Sequence, residues 1–424
     1  MRGQFSAMAQ GEQTDTMVNK KIFMSRPGVF CAAGRSLPGL WKSVSSAHRD
    51  SIVSVQTAAG KSFYTAHIPD DWLEASGARY DMRIIRIEKK ALDQIEKTIQ
   101  YVKARYGQDR VAVCAGSCDN GSEFSVAAHR SYFSSGVFPL SYELEMQGAG
   151  YVASYIQERF GLGGPALAFS TACSSSASAA VKAAELICAG IADAVITGGV
   201  DIASDTVLLG FNALEAVSPE PTNPFSRNRK GITLGDGAAF FVLAKDPFPE
   251  EDCTVTLAGY GESADAYHVT SPEPEGNGAA AAMTAAFSSA GIAPEDIGYL
   301  NLHGTGTKLN DSMEAAAVHK AFGSYAVPCS STKSETGHTL GAAGALEAAV
   351  CYAALANSRA GGTVSYPLQA WDGEADEGMP QLNIIDARSP VPAGNAPLRC
   401  CMSNSFAFGG ANVSLIFALE QDSL

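Results

Sequence analysis

The sequence predicts an α/β protein, because strand-like and helix-like segments alternate along most of its 424 residues. Apolar segments that suit buried strands repeatedly run into turns rich in Gly and Thr, and then into helical segments. Two of these helices, residues 174–188 and 340–355, consist mostly of small residues with few charges, which is typical of helices buried between layers. The 42 glycines suit many tight turns between strands and helices.

The chain divides into two similar halves, although no linker separates them. We predict a flexible N-terminal tail over residues 1–19, because this stretch is polar and mixed. The first half covers residues 20–260 and the second covers residues 261–424. Both halves alternate strands with helices, and each contains one of the small-residue helices.

Composition excludes several classes of protein. Hydrophobic residues make up 46% of the chain, which is enough for a large core, and the net charge of −14 argues against a nucleic-acid partner. No run of about 18 apolar residues predicts a membrane span, and no basic-then-apolar start predicts a signal peptide. The ten cysteines are scattered without CxxC pairs, which argues against disulfides and zinc. We therefore expect a cytoplasmic protein.

Cys173 is the strongest candidate for a reactive side chain. A strand-like segment, residues 166–170, turns at Thr171 and Ala172 and opens into the first small-residue helix. Cys173 therefore lies at a helix N-terminus, where free N–H groups and the helix dipole favour the thiolate. The alternative is that Cys173 is a small buried apolar residue, which is the usual fate of a free cysteine.

Two histidines follow strand-like segments in loops rich in Gly and Thr. His303 lies in the sequence HGTGT, and His338 lies shortly after Lys333 in the loop before the second small-residue helix. Ligands of α/β proteins gather at the carboxyl ends of strands, so we expect both histidines to lie near a substrate. Towards the end of the chain, two strand-like segments meet in a tight turn that contains Phe408 and two glycines.

Four motifs occur in a fixed order: TACSS, HGTGT followed by Asp and Glu, Lys-x-x-x-x-His before GAAG, and NSFxFGG. In this order and spacing the chain resembles the β-ketoacyl synthases over nearly its whole length. The resemblance implies the thiolase fold, an α/β architecture of five layers, αβαβα, built from two pseudo-symmetric βα halves. It also implies a dimer, either a homodimer or a heterodimer with a ketosynthase-like chain-length factor.

The resemblance further implies a decarboxylative Claisen condensation. Cys173, in the first half, accepts the acyl group, and the backbone N–H groups of Cys173 and Phe408 form the oxyanion hole. His303 and His338, both in the second half, act as neutral imidazoles on the malonyl thioester. Lys333 sets their electrostatics. The substrates are carried on the phosphopantetheine of an acyl carrier protein, and no metal or cofactor is required.

Further residues match family positions with supporting roles. The expected substrate contacts are Thr270, Thr305, Thr307, Asn404 and Asp119. The carboxylates expected to hold the histidines and the lysine are Asp311, Glu314 and Glu347. Positions that hold a monovalent cation in some relatives correspond to Asn301, Glu347, Ser403 and Asn404. A plain hydrogen-bond network is the alternative for this last group.

The sequence departs from common fatty-acid elongation enzymes in three places. The first strand, IFMSRPGVFCAAGRS, lacks the family signature, and residues 138–161 also look unusual. The loop GSCDNG places Asp119 where relatives commonly carry a small or aliphatic residue against the acyl chain. An unpaired carboxylate beside a saturated tail would be costly to desolvate. We therefore predict an unusual, partly unsaturated or polyketide-like acyl chain, with ordinary fatty-acid elongation as the alternative.

Basic residues cluster in two short stretches that would suit an acidic carrier protein. The clusters consist of Arg79, Arg83, Arg86, Lys89 and Lys90, and of Arg227, Arg229 and Lys230. Opposite charge would steer the carrier protein towards them, although most such clusters are solvated faces.

Three functions fit the resemblance. The first is an elongating ketosynthase of fatty-acid, polyene or type II polyketide synthesis. The others are a non-catalytic subunit of the chain-length-factor type and another thiolase-fold acyltransferase. Retention of the cysteine and both histidines argues against the non-catalytic subunit, because that role needs no thiolate. HGTGT together with Lys-x-x-x-x-His favours the elongating enzyme.

Overall fold

The computed structural model describes residues 21–77, 79, 81–148, 150–249, 251–359, 365–389 and 398–420, so the predicted tail lies outside the described residues. In chain order the strands are β1 (Phe23–Met24), β2 (Gly28–Cys31), β3 (Ile52–Gln56), β4 (Ser62–Ala66), β5 (Val111–Gly116), β6 (Ala166–Phe169), β7 (Ala194–Asp201), β8 (Leu234–Gly235), β9 (Gly237–Ala244), β10 (Val255–Ala264), β11 (Tyr299–Asn301), β12 (Pro328–Ser330), β13 (Asn383–Ile384), β14 (Cys400–Phe406) and β15 (Ala411–Leu419). The α-helices are α1 (Leu37–Val44), α2 (Arg83–Asp93), α3 (Glu96–Tyr106), α4 (Ser122–Ser135), α5 (Tyr151–Phe160), α6 (Ser175–Cys188), α7 (Asp205–Ala213), α8 (Asn277–Ala290), α9 (Lys308–Phe322), α10 (Lys333–Thr336) and α11 (Ala343–Arg359).

Most strands belong to two half-sheets with the same pattern. The first half-sheet has the order β6-β5-β7-β9-β2, and the second has the order β12-β11-β14-β15-β10. In each, the first three strands are parallel and the remaining pairings are antiparallel. β1 pairs with both β9 and β10, so it joins the half-sheets into one continuous sheet. This repeated order is the pseudo-symmetry that the resemblance implied.

The two small-residue helices, α6 and α11, form the middle layer. α6 packs on β5 and β7 of the first half-sheet and on β15 of the second, while α11 packs on β14 and also on β9. One contact between them needs a glycine, because a side chain at Gly344 of α11 would lie 2.9 Å from the Cβ of Ala177 in α6. Larger side chains in these helices would push the layers apart.

Other helices cover the two outer faces. α2 and α5 bury one apolar cluster against the first half-sheet, and α8 and α9 bury another against the second. Together with the middle cluster around α6 and α11, the layers run helix, sheet, helix, sheet, helix. The predicted α/β class and five-layered thiolase fold are therefore confirmed. The predicted division at residue 260 falls inside β10 and stays a prediction.

One segment of the described chain, Leu340–Ser358, is long and apolar enough to cross a membrane. It consists mainly of α11, and 89% of its most apolar stretch is buried inside the protein. Because α11 contacts strands of both half-sheets, we assign this segment to the protein core.

Candidate active site

Cys173 lies in a sharp turn between β6 and α6. Ala172 has a φ of +50°, which is uncommon for a residue with a side chain, and a single 3₁₀ turn, Ala172–Ser174, leads into α6. The Ser175 hydroxyl donates to the carbonyl of Ala172 (2.6 Å) and accepts the N–H of Thr171 (3.0 Å), which fixes the turn. The structure thus contains the expected strand-turn-helix arrangement, with the 3₁₀ turn as an addition.

Both histidines lie beside Cys173. His303 follows β11, and His338 follows α10 in the connection from β12 to α11. The Nε2 atom of His338 lies 3.0 Å from the Sγ atom of Cys173. The two imidazole rings meet edge to face with their centroids 5.4 Å apart, and one nitrogen of each ring lies within 4.8 Å of the sulfur. Loops from both half-sheets therefore converge on one sulfur atom.

Hydrogen bonds at Nδ1 of each ring determine where the ring proton lies. The backbone N–H of Leu340 donates to Nδ1 of His338 (3.3 Å), so the ring proton lies on Nε2, beside the sulfur. Lys333 Nζ lies 3.4 Å from Nδ1 of His303, and an ammonium only donates, so this ring also carries its proton on Nε2. Burial, reinforced by the charge of Lys333, lowers the pKa of both histidines well below the usual range. Both side chains are therefore neutral imidazoles with an Nε2–H to donate.

Lys333 is buried and forms an ion pair with Glu347. Its ammonium also donates to the carbonyl oxygen of His303, so it connects α10, α11 and the loop after β11. Burial raises the pKa of Glu347 to about 7, while the charge of Lys333 acts in the opposite direction. An unpaired ammonium at this depth would be costly to desolvate, so the carboxylate keeps the positive charge inside the protein.

Opposing effects act on the Cys173 thiol. Burial raises the pKa of this thiol to about 12, whereas the charge of Lys333 and the backbone N–H of Phe408 act to lower it. Phe408 lies in the tight turn between β14 and β15, where Gly409 and Gly410 have φ values of +84° and +79°. The turn needs these glycines because residues with side chains rarely adopt such angles. A thiolate formed at Cys173 would meet hydrogen-bond donors that are already in place.

Two buried carboxylates of α9 hold the His303 loop, defined as residues 303–307. Glu314 accepts the backbone N–H groups of His303 and Gly304, at 2.7 Å each. Asp311 accepts the N–H groups of the next two residues, at 3.1 Å each. Burial raises the pKa of Glu314 to about 7, and the two N–H groups act against that rise. The carboxylates fix the loop backbone and leave its side chains available to the cavity.

A cavity of about 450 Å³ opens over Cys173. The cavity brings together both histidines with Thr270, Thr305, Thr307 and Phe408. The hydroxyls of Thr305 and Thr307 lie 3.1 Å apart, so they present adjacent donors and acceptors to a bound amide or thioester.

Asp119 lies outside this cavity, so its expected substrate contact stays a prediction. It does not line the cavity, and its carboxylate accepts the Tyr151 hydroxyl (2.8 Å), the Gly121 N–H (2.7 Å) and the Ser122 hydroxyl. The picture of an unpaired carboxylate beside the acyl chain is therefore wrong, because the beginnings of α4 and α5 supply its partners. The inference of an unusual acyl chain loses this part of its support.

Asn404 also lies outside the cavity, behind the His303 loop. Its side-chain oxygen accepts the Ser414 hydroxyl (2.8 Å), and its side-chain nitrogen lies 3.5 Å from Glu314. The side chain is thus part of the buried network that supports the loop and does not line the substrate cavity.

Two of the four residues proposed to hold a monovalent cation offer an oxygen that fits such an ion, whereas the Asn404 side-chain oxygen already accepts the Ser414 hydroxyl. Asn301 of β11 lies opposite Ser403 of β14 in the parallel register. Among the described residues, the Asn301 Oδ1 and Glu347 Oε2 atoms are buried and have no hydrogen-bond partner. Oxygen-only donors suit a monovalent cation, although the Lys333 ammonium on the other oxygen of Glu347 already places a positive charge beside this group.

The sulfur of Cys173 and the nitrogens of His303 and His338 form a second donor set, of the type that binds zinc. Lys333 Nζ lies 3.4 Å from His303, so a metal ion there would meet a positive charge already in place. This repulsion disfavours metal binding and favours a carbonyl oxygen as the partner of these groups.

Two further buried residues were not predicted from the sequence. Asp201, at the end of β7, accepts the N–H groups of Cys118 (2.8 Å) and Gly341 (2.6 Å), so it links the two halves beside the nucleophile. Phe225 has a φ of +60° and donates its N–H to Asp311 (2.8 Å). An acidic residue at the end of the apolar run AVITGGVD was the available signal for Asp201.

The structure changes the interpretation of the basic clusters. Arg229 is buried in the cavity wall, where it pairs with Asp376, so its predicted place on a docking surface is wrong. The other seven cations also pair with carboxylates, as Arg79–Glu143, Arg83–Asp236, Arg86–Asp81, Lys89–Asp93, Lys90–Glu74, Arg227–Glu374 and Lys230–Glu220. These pairs reduce the positive charge that either cluster offers to a partner.

Comparison with known families identifies the family of this chain. Residues 71–247 match the family described as Beta-ketoacyl synthase, N-terminal domain, and residues 254–366 match Beta-ketoacyl synthase, C-terminal domain. The chain belongs to the β-ketoacyl synthase family. The predicted family and the predicted acyltransferase class of enzyme are confirmed.

Individual relatives of this ketosynthase cover most of its length. The 3-oxoacyl-[acyl-carrier-protein] synthase 2 of Staphylococcus aureus (strain COL) is 30% identical over 94% of this chain and 98% of its own. The enzyme of the same name from Vibrio cholerae is 35% identical over 73% of this chain and 75% of its own. A solved structure of the ketosynthase ApeO in complex with its chain length factor ApeC, from Xenorhabdus doucetiae, has a TM-score of 0.80 and 34% identity, and covers 97% of this chain and 100% of that chain.

Proposed function

We propose that this ketosynthase joins an acyl group held on Cys173 to malonyl-acyl-carrier-protein in a decarboxylative Claisen condensation, which gives β-ketoacyl-acyl-carrier-protein. The supporting observation is the convergence of the Cys173 sulfur, two neutral imidazoles and the Phe408 turn on one cavity. A non-catalytic chain-length-factor role is disfavoured, because it would not need this complete set of reactive groups.

Acyl transfer is the first half-reaction. The Cys173 sulfur attacks the carbonyl carbon of an acyl thioester, the bond to the pantetheine sulfur breaks, and the cysteine proton leaves with the pantetheine thiol. The backbone N–H groups of Cys173 and Phe408 would stabilise the oxyanion of the tetrahedral intermediate. Lys333 and the Nε2–H of His338 would stabilise the thiolate as it forms.

Decarboxylation and condensation form the second half-reaction. The Nε2–H groups of His303 and His338 would donate to the thioester carbonyl oxygen of the malonyl group. The bond to the carboxylate then breaks, carbon dioxide leaves, and its electron pair forms an enolate held by these donors. The enolate carbon attacks the acyl carbonyl on Cys173, and the bond to the cysteine sulfur breaks. A cation held by Asn301, Ser403 and Glu347 would add positive charge behind the His303 loop.

A reconstituted assay tests the proposal. The purified protein is incubated with an acyl-carrier thioester and malonyl-carrier, and the products are followed by mass spectrometry together with the release of carbon dioxide. We expect one β-ketoacyl-carrier and one carbon dioxide for each acyl group consumed. Acyl exchange without release of carbon dioxide would instead indicate another thiolase-fold acyltransferase.

An acyl carrier protein is the proposed carrier of both substrates. The relatives from Staphylococcus aureus and Vibrio cholerae are named for carrier-bound substrates, and the cavity has the hydroxyls of Thr305 and Thr307 to contact the amide groups of a pantetheine arm. The cytoplasm remains the predicted location.

The proposed partner subunit is a ketosynthase-like chain of the chain-length-factor type. The relative from Xenorhabdus doucetiae is described in complex with its chain length factor. In this chain, α4 and the segment after it expose large apolar side chains, with Phe133 82%, Leu140 106% and Leu144 74% exposed. The edge strand β6, which ends at Phe169 shortly before Cys173, exposes Leu167. Apolar patches and open strand edges of this kind are usually covered by a partner.

Purification of the chain alone tests the partner. We expect the isolated chain to be poorly active and to gain activity when a chain-length-factor-type subunit is co-expressed. A stable, fully active homodimer would contradict the heterodimer. The same preparations, assayed with saturated and polyenoyl carrier thioesters of matched length, test the predicted unsaturated or polyketide-like chain. Efficient unaided elongation of long saturated chains would contradict it.

A further inference from the structure

The His303 loop is packed against a second loop, residues 222–231 (the clamp loop). The Gly231 N–H donates to the carbonyl oxygen of Gly306 (3.0 Å), and the Thr222 hydroxyl lies between the carbonyl oxygens of Gly231 (2.8 Å) and Thr305 (3.1 Å). A side chain at Gly304 would lie 2.7 Å from the Phe225 ring, so the two loops touch as closely as a glycine allows. The position of the His303 loop therefore depends on the position of the clamp loop.

One buried carboxylate connects the two loops. Asp311 accepts the N–H groups of Thr305 and Gly306 from the His303 loop, and the N–H of Phe225 (2.8 Å) from the clamp loop. Its side chain is 0% exposed, and its two oxygens accept these three backbone N–H groups and the side-chain amide of Asn310 (3.2 Å). Any shift of Asp311 would therefore move both loops.

Arg229 holds this arrangement from the far side. The guanidinium is 4% exposed and donates to the Asp376 carboxylate (2.5 Å), the Ser226 carbonyl (2.9 Å) and the Ser312 hydroxyl of α9 (3.0 Å). Its Nε atom lies 3.9 Å from Asp311 and has no hydrogen-bond partner among the described residues. A single planar cation therefore braces the clamp loop, α9 and the segment that carries Asp376 around one carboxylate.

We propose that Arg229 is a positioning residue for the malonyl half-reaction, holding the His303 loop at its place beside Cys173 through Asp311 and the clamp loop. The inference rests on the proposed function, because it requires His303 to act on the malonyl thioester. Cys173 is carried by β6 and α6, which lie outside this network. The His303 loop also carries Thr305 and Thr307, which would contact the carrier arm in both half-reactions, so we expect acyl transfer to depend on Arg229 less than decarboxylation does.

The test compares Arg229→Ala with Arg388→Ala. Arg388 belongs to the 365–389 segment that carries Asp376, but its guanidinium bonds Asp386 and the carbonyl of Asp372. Two rates are measured for each variant: decarboxylation of malonyl-carrier, and acylation of Cys173 followed by intact-protein mass. We expect Arg229→Ala to lose about 100-fold in decarboxylation, the scale of a small misplacement of a reacting group, and to lose much less in acylation. Arg388→Ala keeps both rates.

Two further experiments distinguish a positioning role of Arg229 from a general loss of structure. Guanidinium ion added at millimolar levels should restore part of the decarboxylation rate of Arg229→Ala and none of that of His303→Ala. If Arg229→Ala does not fold, Asp376→Asn removes only the outer anchor and should give a smaller loss that is still selective for decarboxylation. Equal loss of both half-reactions, or unchanged decarboxylation, would overturn the inference. Failure of the unmodified protein to acylate Cys173 would overturn the proposed function instead.

Discussion

The loops that follow β5 and β11 occupy equivalent places in the two half-sheets but use their polar side chains in opposite ways. After β5, the carboxylate belongs to the loop itself, and Asp119 is turned inward to accept the Tyr151 hydroxyl and nearby N–H groups. After β11, the carboxylates come from α9. Glu314 and Asp311 accept the N–H groups of the loop, so His303 remains directed at the cavity.

The difference shows what a reactive loop requires besides its place at the end of a strand. The backbone N–H groups of such a loop need acceptors. An acidic side chain of the loop that accepts these N–H groups can no longer contact a substrate. When a neighbouring helix supplies the acceptors, the loop can present its own side chain to a substrate. Pseudo-symmetry of the backbone therefore does not make the two positions chemically equivalent.

The largest expected effect tests the reactive loop. His303→Ala removes one donor to the enolate oxygen, so decarboxylation of malonyl-carrier should fall by about 100-fold or more. Acylation of Cys173 should survive at least partly, since His303 takes no part in acyl transfer. Both rates are measured on one preparation, and His338→Ala should behave similarly in decarboxylation. An equal loss of both half-reactions in His303→Ala would mean that the roles are assigned wrongly.

A second prediction tests the acceptors from α9. Because burial raises the pKa of Glu314 to about 7, the carboxylate is lost as the pH falls through that value, and decarboxylation should fall with it. Glu314→Gln has one acceptor oxygen and no charge, so its decarboxylation rate should be about 10- to 100-fold lower, which corresponds to the loss of a charge-assisted hydrogen bond. Because the glutamine does not titrate, the rate of this variant should show no fall near pH 7. Rates from pH 6 to 9 check this.

Glu347→Gln is the matched control for that profile. The pKa of Glu347 is also raised to about 7, but this carboxylate pairs with Lys333 and does not touch the His303 loop backbone. If the fall in decarboxylation rate near pH 7 disappears in Glu347→Gln and persists in Glu314→Gln, the pH dependence belongs to the Lys333–Glu347 pair.

The motifs predicted the reactive groups well, because nucleophile, imidazoles and turn glycines lie in short runs at strand ends. The sequence could not show which way a side chain turns when its partner is distant. Asp119 is paired by a tyrosine 32 residues away, and Arg229 is buried by an aspartate 147 residues away. The five-layered fold was predicted from the family resemblance. The link that β1 makes between the half-sheets could not be predicted, because this strand has only two residues and too short a pattern to indicate its partners.

A third prediction concerns the loop after β5. Asp119→Ala leaves the buried Tyr151 hydroxyl without its acceptor, so the free energy of unfolding should fall by about 1–3 kcal/mol. Decarboxylation by the folded protein should stay unchanged, because Asp119 does not line the cavity. In the Asp119→Ala protein, Tyr151→Phe should lower the free energy of unfolding by less than it does in the unmodified protein, since both changes remove the same hydrogen bond. A selective loss of elongation with one acyl chain length would return Asp119 to the substrate pocket.

The smallest effect is expected far from both loops. Lys89 and Lys90 pair with Asp93 and Glu74, and exposed pairs of this kind contribute little. Reversal of both charges should therefore change KM for a carrier-bound substrate by less than about fivefold, equivalent to about 1 kcal/mol. The measurement is KM at low and high salt, with a pantetheine thioester as the carrier-free control. A larger, salt-sensitive rise in KM for the carrier-bound substrate alone would indicate that this cluster does contact the carrier protein.

The identity of the acylated residue tests the central claim most directly. The protein is incubated with an acyl-carrier thioester alone, and its intact mass and peptide map are compared with those of Cys173→Ala and Cys118→Ala. Cys118 is the matched control, because its thiol lies 3.1 Å from the carbonyl oxygen of Ala172, beside the nucleophile. We expect one acyl group on Cys173, lost in Cys173→Ala and retained in Cys118→Ala. An acyl group on any other residue, or elongation by Cys173→Ala, would contradict it.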